Sequence, residues 1–159
     1  MAIQTFKSSA KANAPQEMAG AIASIEQVAD PIYVLAIRFY EAKNYPKALR
    51  LMEFLLRSQA PQLRYLRTTA VMLQADQQLE KALDFYERAA SVDSEGDPRI
   101  SLGQAQCLVM LKQYAQAMPY LEQTWERLKN PALPAPLRNQ LIQTCSPLME
   151  RITSIVGST

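Results

Sequence analysis

The chain has 159 residues, of which 48% are hydrophobic and 20% charged, so it can form one compact domain and is neither disordered nor fibrous in composition. Four glycines are few for a protein built from strands and tight turns, and this scarcity favours helices. Seventeen Lys and Arg against fifteen Asp and Glu leave a net charge of +2 without a basic cluster, which argues against a nucleic-acid partner.

The residue types that usually carry catalysis are missing or isolated. The chain contains no histidine, which removes the commonest general base and metal ligand, and it has neither a GxGxxG nor a GxxxxGK[ST] loop to hold a phosphate. Cys107 and Cys145 stand far from any CxxC spacing and are expected to be small buried hydrophobes in a reducing compartment. We therefore expect no enzyme activity, no cofactor and no metal.

The first predicted element precedes the regular part of the chain. Residues 1–14 lack the apolar run of a signal peptide and are expected to be disordered, and residues 15–29 can form a short helix with Met18, Ile22 and Ile25 on one face. No window approaches the ~20 apolar residues needed to cross a bilayer. A soluble protein of the cytoplasm, without membrane insertion, is expected.

An internal repeat follows, at intervals of 34 and 35 residues, with Ala48, Ala82 and Ala117 as its anchors. Small residues at fixed offsets let helices cross closely, and larger ones fill the space between them. This spacing is typical of the tetratricopeptide repeat (TPR), a helix-turn-helix unit that stacks into a superhelix. Three residues before the anchors stand Tyr45, Leu79 and Tyr114, and four residues after them stand Met52, Tyr86 and Leu121. Twelve residues before the anchors stand Ala36, Ala70 and Ala105.

The sequence thus predicts an all-α fold with three TPR repeats in residues 30–130. The first helices of the repeats (helices A) are placed at about 31–43, 62–76 and 98–112, and the second helices (helices B) at about 45–58, 78–91 and 115–128. Asp97 before Pro98 is a helix-capping pair, whereas Pro119 conflicts with the last helix B unless that helix starts late or bends.

Residues 131–159 are predicted to form a capping helix and a tail, with apolar residues at helical spacing from Leu137 to Ile155. Ser146 and Pro147 could kink or restart this helix. A cap is needed because a stack of repeats exposes an apolar end.

Helices A line the concave side of such a stack, and the residues fifteen, eleven and eight positions before each anchor face it. This concave groove is apolar and aromatic with a few amide and basic groups, which suits an extended peptide; the alternative is that these residues merely pack the superhelix. Tyr33 and Tyr40, seven residues apart on one helix, point the same way. The candidate binding residues are Tyr33, Ile37, Tyr40, Arg67, Val71, Gln74, Leu102, Gln106 and Val109, with Arg64 at the rim.

Three stretches resemble the class II chaperones of bacterial type III secretion, the translocator chaperones of the LcrH/SycD kind. "YVLAIRFYEAKNYPKAL" is similar to the first repeat of that family, "ALDFYERAASVD" to its second helix B, and "DPRISLGQAQCLVMLKQYAQA" to the start of its third repeat. The resemblance covers roughly residues 30–128. It implies a non-enzymatic chaperone in the bacterial cytoplasm that holds apolar, membrane-inserting translocator proteins in the concave groove.

Two alternatives remain open beside this interpretation. One is a chaperone of a needle subunit, and the other is a TPR adaptor that works as a scaffold in a larger assembly through its convex face or N-terminal helix. The resemblance also implies a homodimer through the helix at 15–29, although the apolar strip of that helix could equally pack on the first repeat.

Overall fold

The computed structural model describes residues 31–58 and 62–157, so the predictions of a disordered segment at 1–14 and a helix at 15–29 lie outside the described residues. Within these ranges the chain is helical and contains no strand. The helices are α1 (31–41), α2 (Tyr45–Ser58), α3 (Leu63–Ala75), α4 (Leu79–Val92), α5 (Pro98–Met110), α6 (Tyr114–Leu128) and α7 (Ala135–Val156).

The helices form three pairs, α1–α2, α3–α4 and α5–α6, and each pair packs against the next. Helix α7 packs on α6 and covers the last pair. The predicted all-α TPR-like architecture is therefore confirmed for the described residues. The alanines that set the repeat are completely buried, since each has an exposed fraction of 0%: Ala36, Ala48, Ala70, Ala82, Ala105 and Ala117.

The turn inside each repeat has the same backbone geometry. Lys43, Gln77 and Lys112 have positive φ angles of 57°, 61° and 61°, and each lies five residues before its anchor alanine. The next residue donates its N–H to the carbonyl five positions earlier, at 2.8–2.9 Å. This hydrogen bond satisfies a carbonyl group in the last turn of the first helix of each pair. The same turn therefore connects the two helices of each pair.

The connection between the second and third pairs accounts for the longer repeat interval. Helix α4 ends ten residues after its anchor, as α2 does, so the additional residue falls in the loop 93–97. The Asp93 carboxylate accepts hydrogen bonds from the N–H groups of Gly96 and Asp97, and Gly96 adopts φ 75°. Asp97 then caps α5 by accepting a hydrogen bond from the Arg99 N–H, as the sequence predicts.

Two prolines are accommodated inside helices. Helix α6 begins at Tyr114, so the late start considered for it is wrong, and α7 continues through Pro147, so a restart at that point is also wrong. Both Pro119 and Pro147 are exposed. The hydrogen bond that each proline cannot make is therefore lost on the solvent side, where water can satisfy the remaining carbonyl.

The core runs through the whole stack in three contiguous clusters, centred on Met52, Tyr86 and Leu121. Helix α7 contributes Cys145 and Ile152 to the last cluster. Both cysteines are buried and unpaired, and burial raises the pKa of the Cys107 thiol to about 12 and raises that of Cys145. These thiols therefore remain protonated at neutral pH and serve as small packing groups.

Candidate peptide-binding groove

The first helices of the three pairs, together with α7, enclose a cavity of about 660 Å³ on the concave side. Apolar side chains from α3, α5 and α7 line it, including Val71, Leu102 and Leu141, and Tyr40 lines it from α1. Polar groups are interspersed along the wall rather than collected at one point. The surface can thus bury apolar side chains and still offer hydrogen bonds to a main chain.

Six of the ten residues selected from the sequence line this cavity. They come from the three first helices and alternate between apolar or aromatic and polar side chains. The six are Tyr40, Arg67, Val71, Gln74, Leu102 and Gln106.

The other four residues have different surroundings. Ile37 packs against the core cluster of the first repeat, and Val109 packs against the cluster that α7 covers. The guanidinium of Arg64 lies 5.3 Å from the ring centroid of Tyr33 and 4.7 Å from that of Tyr65. The Tyr33 hydroxyl is 2.9 Å from Oγ1 of Thr68. Tyr33 therefore joins α1 to α3 instead of lining the cavity.

Replacing Tyr33 by phenylalanine should lower the free energy of unfolding by about 0.5–1.5 kcal/mol, because the partly buried Thr68 hydroxyl loses its partner. Urea unfolding followed by circular dichroism measures this loss. Tyr120→Phe is the matched control, since the half-buried Tyr120 hydroxyl makes no hydrogen bond within the described residues. Equal stabilities of the two variants would contradict the linking role of Tyr33.

A charged cluster lies at one rim of the groove. The Asp97 carboxylate pairs with Arg67 of α3 and, at 2.8 Å, with Arg99 of α5. Burial alone would raise the pKa of Asp97, but hydrogen bonds from Arg99 and the positive charges of Arg99 and Arg67 outweigh burial and lower it. The carboxylate is thus ionised at neutral pH and fixes both arginines.

Beyond this rim lies a second cavity of about 620 Å³, which shares Arg67, Arg99 and Leu137 with the first. Its wall includes Arg64 and Arg127. Arg64, which is predicted from the sequence to lie at the rim of the groove, lines this second cavity and not the first.

Sequence reasoning missed the contribution of α7 to the groove. Leu137, Gln140, Leu141 and Thr144 line the first cavity, and their spacing of three, one and three residues places them on one helical face. That spacing is visible in the sequence, where it predicts only the packing face of a cap. Gly103 on the cavity floor was also missed.

The groove has no feature of a metal centre or a membrane segment. Within residues 31–58 and 62–157, no group of three or more His, Cys, Asp or Glu side chains is arranged to hold a metal ion. In the same part of the chain, no helix combines the length and apolarity needed to span a bilayer.

Comparison with known proteins finds similarity at the level of structure. No family model matches the sequence, and no curated protein matches it either. The type III secretion chaperone SycD of Yersinia enterocolitica, solved in complex with a peptide of the translocator YopD, superimposes with a TM-score of 0.73 at 24% identity, covering 80% of this chain and 93% of SycD.

PcrH from Pseudomonas aeruginosa gives a TM-score of 0.72 at 22% identity, over 80% of this chain and 93% of PcrH. PcrH in complex with the chaperone binding region of PopD gives 0.72 at 22% identity, over 81% and 93%. The described helices therefore have the TPR-like fold of these translocator chaperones.

Proposed function

We propose that this protein is a non-enzymatic chaperone of type III secretion, which binds an apolar translocator protein through an extended segment and keeps it soluble before secretion. The observation that carries the proposal is the concave cavity, whose wall combines Tyr40, Val71 and Leu102 with the amides of Gln74 and Gln106. The fold shared with two chaperones solved in complex with translocator segments supports the same function.

The shape of the cavity favours an extended segment. Its wall crosses four helices in succession, α1, α3, α5 and α7. At roughly 8–10 Å between neighbouring helices, this corresponds to a path of about 25 Å. An extended chain covers that distance with about eight residues, at ~3.3 Å each. Apolar side chains of such a segment would enter the groove, while its main chain meets the polar groups of the wall.

The proposal assigns a role to each part of the chain and a cellular location to the protein. Residues 30–130 form the repeats that hold the cargo, and residues 131–159 provide the cap and one wall of the groove. The protein acts in the bacterial cytoplasm, where membrane-inserting cargo has to be masked before export. Residues 15–29, which lie outside the described residues, are proposed as the contact for a homodimer, the alternative being that they pack on the first repeat.

A second function is favoured by a different surface. Phe54 of α2 and Trp125 of α6 lie on the second helices of their repeats, away from the cavity, and have exposed fractions of 54% and 38%. Exposed aromatic side chains are common anchors in protein interfaces. They would serve a TPR adaptor that joins a larger soluble assembly.

A needle-subunit chaperone would use the concave groove with a different cargo.

Co-expression with the apolar proteins encoded beside it, followed by affinity capture and mass spectrometry, separates these functions. The translocator chaperone is expected to retain one membrane-active partner in stoichiometric amount, and that partner should precipitate when expressed alone. A small needle subunit as the retained protein would replace the cargo assignment. Recovery of a soluble complex of several proteins would favour the adaptor.

Val71→Asp should weaken cargo binding at least tenfold, because it places a charge on the apolar wall of the groove. The matched control is Val92→Asp, since Val92 has an exposed fraction of 42%, close to the 38% of Val71, and lies outside the cavity. Isothermal titration with the captured cargo measures both affinities. If both substitutions weaken binding equally, or neither does, the groove is not the cargo site.

A further inference from the structure

Three side chains on the groove floor form a continuous hydrogen-bonded chain. The Tyr86 hydroxyl, on the second helix of the middle repeat, donates to Oε1 of Gln74 at 2.9 Å. Nε2 of Gln74 then donates to Oε1 of Gln106 at 3.3 Å, which links α3 to α5. Gln74, Gln106 and Tyr86 all line the cavity, and Tyr86 is almost fully buried, with an exposed fraction of 2%.

The buried tyrosine sets the direction of this chain. If both amides were rotated by half a turn, Gln74 would donate to the Tyr86 oxygen, and the Tyr86 proton would need another acceptor. Among the described residues the Tyr86 hydroxyl has no acceptor other than Gln74. A buried hydroxyl proton without an acceptor is costly, so the hydroxyl donates and both amides are oriented by it. Burial also raises the pKa of Tyr86, and the hydroxyl keeps its proton at neutral pH.

This direction determines what the groove offers to a bound molecule. Oε1 of Gln106 is occupied by Gln74, while Nε2 of Gln106 has no hydrogen-bond partner in the described part of the chain. The exposed end of the chain is therefore an N–H donor. A main-chain carbonyl is the complementary group, and an extended segment presents one at every residue.

We propose that Gln106 donates a hydrogen bond to a main-chain carbonyl of the bound segment, and that Tyr86 and Gln74 are positioning residues that keep its amide in the donating orientation. This inference rests on the proposed function and adds to it a specific polar contact. Val71 of α3 and Leu102 of α5 line the same cavity as the donor, so the carbonyl of the bound segment would be held between two apolar contacts.

The test uses overlapping synthetic peptides that span the captured cargo, with affinities measured by fluorescence anisotropy. Gln106→Glu replaces the donor by an acceptor of the same shape and should weaken the tightest peptide about tenfold or more. Tyr86→Phe removes the proton that orients the chain and should weaken the peptide about threefold to tenfold. The matched control is Gln123→Glu, which makes the same substitution at an exposed position of α6 outside the cavity and should change the affinity less than about twofold.

A second measurement distinguishes the contact from a general loss of structure. Peptides with a single main-chain amide replaced by an ester have a weaker carbonyl acceptor at that position. One ester should weaken binding to the wild-type protein and have no further effect on binding to Gln106→Glu, because the contact is already lost. Additive effects at every position, or equal effects of Gln106→Glu and Gln123→Glu, would overturn the inference and leave the proposed function standing. If no peptide binds the wild-type protein, the proposed function fails and the inference with it.

Discussion

Replacing Gly103 by alanine is expected to lower the free energy of unfolding by about 2–4 kcal/mol, although alanine is the better helix former. A Cβ atom at this position would lie 2.2 Å from Cζ of Tyr86 and 2.5 Å from its hydroxyl oxygen. The intrinsic helical gain of alanine over glycine is about 1 kcal/mol. It is outweighed because overpacking a buried aromatic ring costs about 3 kcal/mol, or more if the ring is expelled.

The Tyr86 ring has little freedom to move away, because it is buried and its hydroxyl is held by Gln74. Urea unfolding of Gly103→Ala, Tyr86→Leu and the double variant tests this explanation. In the Tyr86→Leu background the alanine should cost less than about 1 kcal/mol, because the clashing ring is absent. An equal cost in both backgrounds would show that the ring is not the obstacle. A stabilised Gly103→Ala variant would contradict the packing directly.

Most of the helical framework could be predicted because the repeat gives the same information three times. Ala48, Ala82 and Ala117 lie where helices cross closely, and a larger residue there would push the helices apart. The turn residues Lys43, Gln77 and Lys112 were not singled out, because a left-handed conformation is difficult to predict from a residue that is not glycine. The periodicity places the turns to within about two residues, because the predicted helices at 31–43 and 98–112 extend two residues beyond the ends of α1 and α5.

The groove was less predictable because helical periodicity gives the direction of a side chain but not its neighbours. Tyr33 and Tyr40 point the same way on α1, yet at 1.5 Å per residue they lie about 10 Å apart along the helix. Tyr40 reaches the cavity, whereas Tyr33 lies opposite Thr68 and Tyr65 of α3. Which residue of α3 faces each tyrosine depends on the crossing of two helices, and the sequence of one helix does not contain that information.

The wall that α7 contributes to the groove could not be derived from the repeat, since α7 follows the three repeated helix pairs and is not part of them. The close packing at Gly103 was difficult to predict for a related reason. A single glycine inside a predicted helix indicates a close approach without naming the group that approaches. In the structure that group is Tyr86, which belongs to the preceding repeat.

Asp97→Ala is expected to lower the free energy of unfolding by about 2–3 kcal/mol. It removes the cap of α5, worth about 1 kcal/mol, and leaves the mostly buried Arg67 without its carboxylate. The matched control is Glu53→Ala, which breaks the exposed Glu53–Arg57 pair and should cost less than about 0.5 kcal/mol. Similar losses in the two variants would mean that Asp97 stabilises no more than a surface charge.

The contribution of the Asp97 charge should also depend on pH in a defined direction. Because the folded state lowers the pKa of Asp97, the ionised carboxylate stabilises the protein fully at pH values above the unfolded pKa of about 4. That stabilisation is lost as the pH falls through the lower pKa of the folded state. Asp97→Asn keeps a capping oxygen but not the charge, so the difference in stability between wild type and Asp97→Asn should shrink below pH ~4. A difference that is constant from neutral to acidic pH would show that Asp97 acts through its cap alone, and that the arginines at the rim of the groove are held by other contacts.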